Sequence, residues 1–212
     1  MRTALLAGST GLIGSHLLQL LIHSAHYDRI IAITRRDLPA HPKLTQLTID
    51  FEKIEDHADA LKADDVFCCL GTTIAKVRSK EKFYQVDYHY PLQLAKITHA
   101  MGATKYMLVS SLGADKNSSI FYSRVKGEIE DAVCHVGFES IHIFRPSLLL
   151  GNRREHRSGE DAARLFYTVF GFLIPKKYKA IEFQKVAGAM IHFASQNKSG
   201  NFIHESTALQ NF

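Results

Sequence analysis

The segment Gly8-Ser9-Thr10-Gly11-Leu12-Ile13-Gly14 constrains this chain more than any other. It follows the apolar run Thr3 to Ala7 and opens a stretch in which Leu12, Ile13, Leu17, Leu18, Leu20 and Leu21 recur at helical spacing. Strand, glycine turn and helix are predicted in that order. A second apolar run, Arg29 to Thr34, closes a βαβ unit of about thirty residues. The spacing G-x-x-G-x-x-G is a variant of the dinucleotide fingerprint: Gly8 supplies backbone freedom, Gly11 lets the main chain approach a pyrophosphate, and Gly14 permits close packing of helix on strand. The free N–H groups and positive dipole end of the following helix suit an anion, and Ser9 and Thr10 add hydroxyl donors.

Strand and helix signals then alternate. Leu44 to Asp50 and Val66 to Leu70 are strands, the second ending at Gly71-Thr72-Thr73. A helical stretch runs from Lys80 to Ala100 with Phe83, Val86, Tyr90, Leu94 and Ile97 as its apolar stripe. Pro91 inside it predicts a kink, or two helices meeting near Tyr90. Strand Tyr106 to Val109, helix Phe121 to His135 and strand Ser140 to Phe144 follow. This alternation predicts an α/β fold, a doubly wound (Rossmann) parallel sheet with right-handed crossovers. Asp161 to Phe172 and Glu182 to Gln196 read as a small C-terminal helical elaboration, and Asn201 to His204 as a late edge strand. At 212 residues and 46% apolar content, one dinucleotide-binding domain spanning 1–212 is expected, with 147–212 as its substrate side.

The end of the second strand selects the cofactor. An acidic residue there takes a ribose 2′-hydroxyl, whereas arginine accommodates a 2′-phosphate. Thr34-Arg35-Arg36 favours NADP(H), since guanidinium groups suit bidentate phosphate contact. NAD is the less favoured alternative, in which Asp37 meets the ribose.

Tyr122 and Lys126 lie one helical turn apart. A free phenol titrates near 10, too high for acid–base work at pH 7, and an adjacent ammonium stabilises the tyrosinate. Ser111 or Ser110, at the preceding strand end, is placed to hydrogen-bond a substrate carbonyl. Together these predict hydride transfer with Tyr122 as acid/base.

These motifs resemble the short-chain dehydrogenases/reductases of the atypical or extended kind, and within them the branch that includes the HIV Tat-interacting protein of animals and its bacterial relatives. The resemblance is carried by Arg35-Arg36, Asp50-Phe51-Glu52-Lys53, Cys68 to Thr73, Ser110-Ser111, Gly113 to Lys116, Tyr122 with Val125 to Glu128, and Phe144-Arg145-Pro146. It implies that Asp50 and Phe51 flank the adenine, that Leu70, Gly71 and Thr72 line the nicotinamide side, and that Pro146 to Leu148 close over the nicotinamide. It also implies Ser111 rather than Ser110 as the catalytic serine.

Other features bound the function. The net charge is +5, but the basic residues are scattered and form no nucleic-acid motif; they read as solvation plus a phosphate-bearing cofactor, with no nucleic-acid partner. No run approaches the roughly 18 apolar residues of a membrane span. Three cysteines form no disulfide framework, which predicts a reduced, cytoplasmic chain. Twelve dispersed histidines present no metal spacing, so no metal is expected. Phe166, Tyr167, Phe170, Phe172 and Tyr178 are expected in a core under the C-terminal helices or in the substrate pocket, and Arg153 or Arg157 against cofactor phosphates or an acidic substrate. A small-molecule substrate is expected, with a homodimer or protein partner as a further possibility. Two other functions stand beside the oxidoreductase: an NADP(H)-binding regulatory module without turnover, and a nucleotide-sugar epimerase or dehydratase.

Overall fold

Leucine, isoleucine, valine and alanine fill the strands on both faces, and such strands pair in parallel with helices covering each side. The computed structural model describes residues 2–150, 175 and 178–212. Strands β1 (Thr3–Ala7), β2 (Arg29–Thr34), β3 (Leu44–Thr48), β4 (Asp65–Cys68), β5 (Lys105–Val109), β6 (Ser140–Arg145) and β9 (Gly200–Glu205) form one sheet in the order β3-β2-β1-β4-β5-β6-β9, every pair parallel. β7 (Leu149–Leu150) and β8 (Ile181–Glu182) pair separately. The Rossmann expectation holds, including the late edge strand.

One face of the sheet packs beneath a 3₁₀ stretch Phe51–Leu61 and helices α4 (Tyr90–Ala100) and α5 (Phe121–Cys134), with Leu5, Ile31, Val66, Leu94, Tyr106, Ile129 and Ile141 in its core. The other carries α1 (Leu12–His23) and α6 (Phe183–Ala194), which bury Leu17, Leu21, Phe67, Phe144, Val186 and Met190 together. Lys105 ties the last of these helices to the sheet: its ammonium donates to the carbonyls of Ala194 and Gln196 at 2.7 and 2.6 Å, satisfying a helix C-terminus. The described part of the C-terminal quarter thus supplies an edge strand and one helical layer. The expected helix 161–172, its aromatics Phe166, Tyr167, Phe170 and Phe172, and Arg153 and Arg157 lie outside the described residues.

The stretch 80–100 departs from the expected stripe. Helix α3 (Lys80–Tyr84) passes into a π-helical turn, Gln85–His89, closed by the Tyr90 N–H on the Gln85 carbonyl, before α4 begins. Pro91 falls in the first turn of α4, where its missing N–H costs nothing. A π turn holds an extra residue and shifts the buried face. The fully buried side chains are therefore Phe83, Asp87, Pro91, Leu94, Ala95 and Thr98, while Val86, Tyr90 and Ile97 are only half-buried.

Candidate active site

In a parallel sheet all strand C-termini share one edge, and this edge gathers the glycine turn after β1, Arg35-Arg36 after β2, Leu70 to Thr72 after β4, Ser110-Ser111 after β5 and Pro146 after β6. β1 is where the strand order reverses, so a crevice opens between its C-terminus and that of β4.

The glycine turn fits a dinucleotide by geometry. Gly8 has φ +87°, and a Cβ there would stand 2.5 Å from the Cys69 carbonyl oxygen. A Cβ on Gly14 would lie 2.2 Å from the Gly8 oxygen, because α1 crosses directly over the turn. The Gly11 N–H donates to that same oxygen at 3.0 Å, and no side chain caps the N-terminus of α1, which leaves its first N–H groups to an anion. Ser9 is buried, and Thr10 is exposed beside it. Arg35 and Arg36 are exposed at the end of β2, where Thr34 Oγ1 donates to the Arg36 carbonyl at 2.7 Å and accepts from its N–H at 3.1 Å. Asp50 caps the 3₁₀ stretch through Glu52 N–H, and the Phe51 ring stacks on Tyr90 at 5.1 Å between centroids.

Ser110 and Ser111 part company. Ser110 is buried and donates to Glu130, which also takes the Arg145 guanidinium at 2.5 Å; Arg145 in turn reaches Glu205 at 3.0 Å. Ser110 N–H donates to the Phe144 carbonyl and Leu112 N–H to that of Pro146, extending the β5–β6 ladder past Ser111. The Ser111 hydroxyl oxygen is buried and has no hydrogen-bond partner among the described residues. An orphaned buried hydroxyl costs about 1–3 kcal/mol, so its position suits a group that a ligand completes.

Tyr122 lies in the first turn of α5, its ring 5.6 Å from that of buried Phe83. Lys126, one turn on, is 5% exposed. Its ammonium reaches Asp87 Oδ1 at 2.7 Å, and the other Asp87 oxygen accepts from Thr72 N–H at 2.9 Å. Burial alone pulls the Lys126 pKa down; Asp87 and Tyr122 outweigh it and leave it raised, so the ammonium stays charged. Gly71 sits against this pair, a Cβ there falling 3.5 Å from Asp87 Oδ1 and 3.9 Å from Lys126 Nζ. Gly127 lets the loop after Ser111 lie flat on α5, since a Cβ would come 2.1 Å from Lys116 N; the Asp115 N–H donates to the Ser123 carbonyl at 3.0 Å. Pro146 is buried beside Ser111, and Leu148 is half exposed. Burial raises the Cys68 and Cys69 thiols, which pack as apolar residues.

Asp87 is the residue that sequence reasoning missed. Its signal was available as a carboxylate four residues after Phe83, in line with the apolar stripe, but the unexpected π turn disguised that phase.

Residues 4–128 match the NAD dependent epimerase/dehydratase family. The chain belongs to this family. The resemblance to the Tat-interacting branch is borne out: the chain is 38% identical to Protein HTATIP2 of Rattus norvegicus over 171 residues, 78% of this chain and 70% of that protein. It is 39% identical to the mitochondrial protein FMP52 of Candida glabrata over 166 residues, 74% of this chain and 68% of the relative. Among solved structures, MoeE5 in complex with UDP-glucose and NAD superposes with a TM-score of 0.74 at 18% identity, over 95% of this chain and 74% of that one. A short chain dehydrogenase family protein of Francisella tularensis does so at 0.70 and 15%, over the whole of both chains. Such low identities show the shared fold of the family. The family match, together with this fold, places the chain among NAD(P)-binding Rossmann proteins. One expectation is overturned: fungal relatives 35–39% identical are named mitochondrial, which points away from a purely cytoplasmic location. Free thiols and the lack of an apolar span report on chemistry, not on which compartment supplies it.

Proposed function

We propose that this chain is an NADP(H)-dependent oxidoreductase that interconverts a small carbonyl compound and its alcohol. Bound NADPH supplies a hydride to the carbonyl carbon. The Ser111 hydroxyl donates a hydrogen bond to the carbonyl oxygen and holds it beside the phenol. Tyr122 gives that oxygen its proton, and the Lys126 ammonium stabilises the phenolate left behind; in the oxidative direction the phenolate takes the proton back. Gly8 to Gly14 hold the pyrophosphate, Arg35 and Arg36 the 2′-phosphate, Asp50 and Phe51 the adenosine, and Leu70, Gly71, Thr72, Pro146 and Leu148 the nicotinamide side. Residues 1–212 act as one domain, with the stretch from 147 onward on the substrate side.

The observation that carries this reading is the buried Lys126 ammonium, held 2.7 Å from Asp87 one turn after Tyr122. A chain that only sensed a dinucleotide has no use for a buried charge beside a phenol. The test is NADPH oxidation across a panel of aldehydes and ketones. Wild type is expected to turn over, and Tyr122→Phe to lose about 10²-fold or more in kcat with NADPH affinity intact. A wild type that binds NADPH tightly and reduces nothing overturns the reading in favour of the regulatory module. Comparing dissociation constants for NADPH and NADH tests the cofactor, and a preference for NADH sinks that part.

The family match and the nucleotide-sugar complexes among the fold neighbours favour a second reading, epimerisation or dehydration of a nucleotide sugar. Turnover of UDP-glucose without net NADPH consumption is its signature.

A further inference from the structure

Helix α5 buries two charged side chains one turn apart, and they meet different parts of the frame. Lys126 pairs with Asp87, whose second oxygen takes the Thr72 N–H just ahead of the short helix α2 (Ile74–Val77). Glu130 instead meets the strand ends. Its carboxylate accepts from the Ser110 hydroxyl just past β5 and from Arg145 at the end of β6. Arg145 Nε lies 3.0 and 3.2 Å from the two carboxylate oxygens, and one terminal nitrogen lies 2.5 Å from the second of them. The other terminal nitrogen reaches Glu205 at the end of β9, 3.0 Å away. One buried carboxylate on α5 thus joins the ends of three strands.

The stretch from Ser110 to Leu112 is held toward β6 by two backbone bonds, Ser110 N–H to the Phe144 carbonyl at 2.7 Å and Leu112 N–H to that of Pro146 at 2.9 Å. Those bonds run between neighbouring strands and do not fix how the stretch stands against α5. The bond from Ser110 to Glu130 does. Ser111, with its orphaned hydroxyl, lies between the two backbone anchors, and Tyr122 lies on α5 about two turns before Glu130. The carboxylate therefore links the segment that carries the hydrogen-bond donor to the helix that carries the proton donor. An ion pair this buried is a weak source of stability, because desolvation of the charges offsets their attraction. What a fully bonded polar network adds is one fixed geometry. Reacting groups need it, since a misplacement of about 1 Å costs on the order of 10²-fold in rate.

We propose that Glu130 is a positioning residue: clamped by Arg145, it holds Ser110 and so fixes the Ser111 hydroxyl at its working distance from the Tyr122 phenol. This rests on the oxidoreductase reading and adds to it a residue that acts through Ser111. The competing role is an ion pair that only fastens α5 to the sheet. Such a pair predicts lost stability with no special relation to Ser111, and the experiment separates the two.

The test uses Glu130→Gln, which keeps the shape but gives up the charge that clamps Arg145, and Ser110→Ala, which removes one hydroxyl and leaves the ion pair in place. Each is made in wild type and in Ser111→Ala. On the carbonyl compound that wild type reduces best, each is expected to lower kcat about tenfold, with the NADPH dissociation constant changed less than about twofold. In the Ser111→Ala background neither is expected to lower kcat more than about twofold further, because the effect passes through Ser111. An unchanged kcat in either folded variant, a loss that persists in full without Ser111, or a matching loss of NADPH affinity overturns the inference and leaves the oxidoreductase reading standing. Ser110→Ala carries the test if Glu130→Gln does not fold. If wild type reduces no carbonyl compound, the oxidoreductase reading fails by itself, and crystal structures of wild type and Ser110→Ala with NADP bound decide on the clamp. A Ser111 hydroxyl displaced by about 0.5 Å or more relative to the Tyr122 phenol supports it, and an unmoved pair overturns it.

Discussion

At the scale of single residues, the Lys126 ammonium has one buried counter-charge among the described residues, Asp87, and removing it strands a cation at 5% exposure. Breaking a buried ion pair from one side costs about 3–5 kcal/mol. Asp87→Ala is therefore expected to lower unfolding free energy in urea by about that much and to abolish NADPH-dependent turnover; a loss below about 1 kcal/mol contradicts the buried pair. Gly14→Ala sets a Cβ 2.2 Å from the Gly8 oxygen, where neither backbone can yield without lifting α1 off β1. Overpacking of this kind costs about 1–3 kcal/mol, and NADPH binding is expected to fail with it, as titration of cofactor fluorescence would show. The two residues differ in legibility. Gly14 stands out because its spacing from Gly8 and Gly11 has few other uses, whereas Asp87 looks like any polar residue on a helix until its turn is known to be wide. Ser110 and Ser111 are equally placed at the strand end; the family resemblance points to Ser111, and the structure separates them by the Glu130 partner of Ser110 and the unpartnered hydroxyl of Ser111.

At the scale of elements, β6 and β9 carry two imidazoles on one face. His142 Nδ1 and His204 Nε2 are 2.9 Å apart, the rings are nearly coplanar at 8°, and Phe193 and Phe202 stack around them. Burial first, then the neighbouring imidazole, lowers His142 to about 4, and burial lowers His204 to about 4. The unfolded chain, with histidine near 6.5, binds more protons between these values, so stability is whole above about pH 6.5 and falls as pH drops toward 4. Melting temperature is expected to fall over that window, and His142→Phe to flatten the fall; an unchanged slope in the variant contradicts this. Such a pair is invisible in sequence, since 62 residues separate the partners. The strands and long helices were legible because each buries a regular stripe, and the π turn was not, because one inserted residue shifts the stripe without changing its composition.

At the scale of the whole molecule, the C-terminal stretch is part of the core. Ile181, Val186, Met190 and Leu209 are fully buried and share one cluster with Leu17, Leu21 and Phe144. A chain ended at Ala180 leaves that face of α1 and β6 open, so it is expected to lose cooperative urea unfolding and to bind a hydrophobic dye. A truncated chain with the wild-type transition contradicts the shared core.

Sequence pattern was enough for the parallel α/β fold, through the alternation of strand and helix signals along the chain, and for the glycine turn, which is written in seven consecutive residues. Tertiary structure alone decided which serine is held and which is orphaned, and that Asp87 rather than solvent answers Lys126. Those are facts about charges and hydroxyls brought together from distant strands and helices, and desolvation, which sets their energies, exists only once the chain has closed around them.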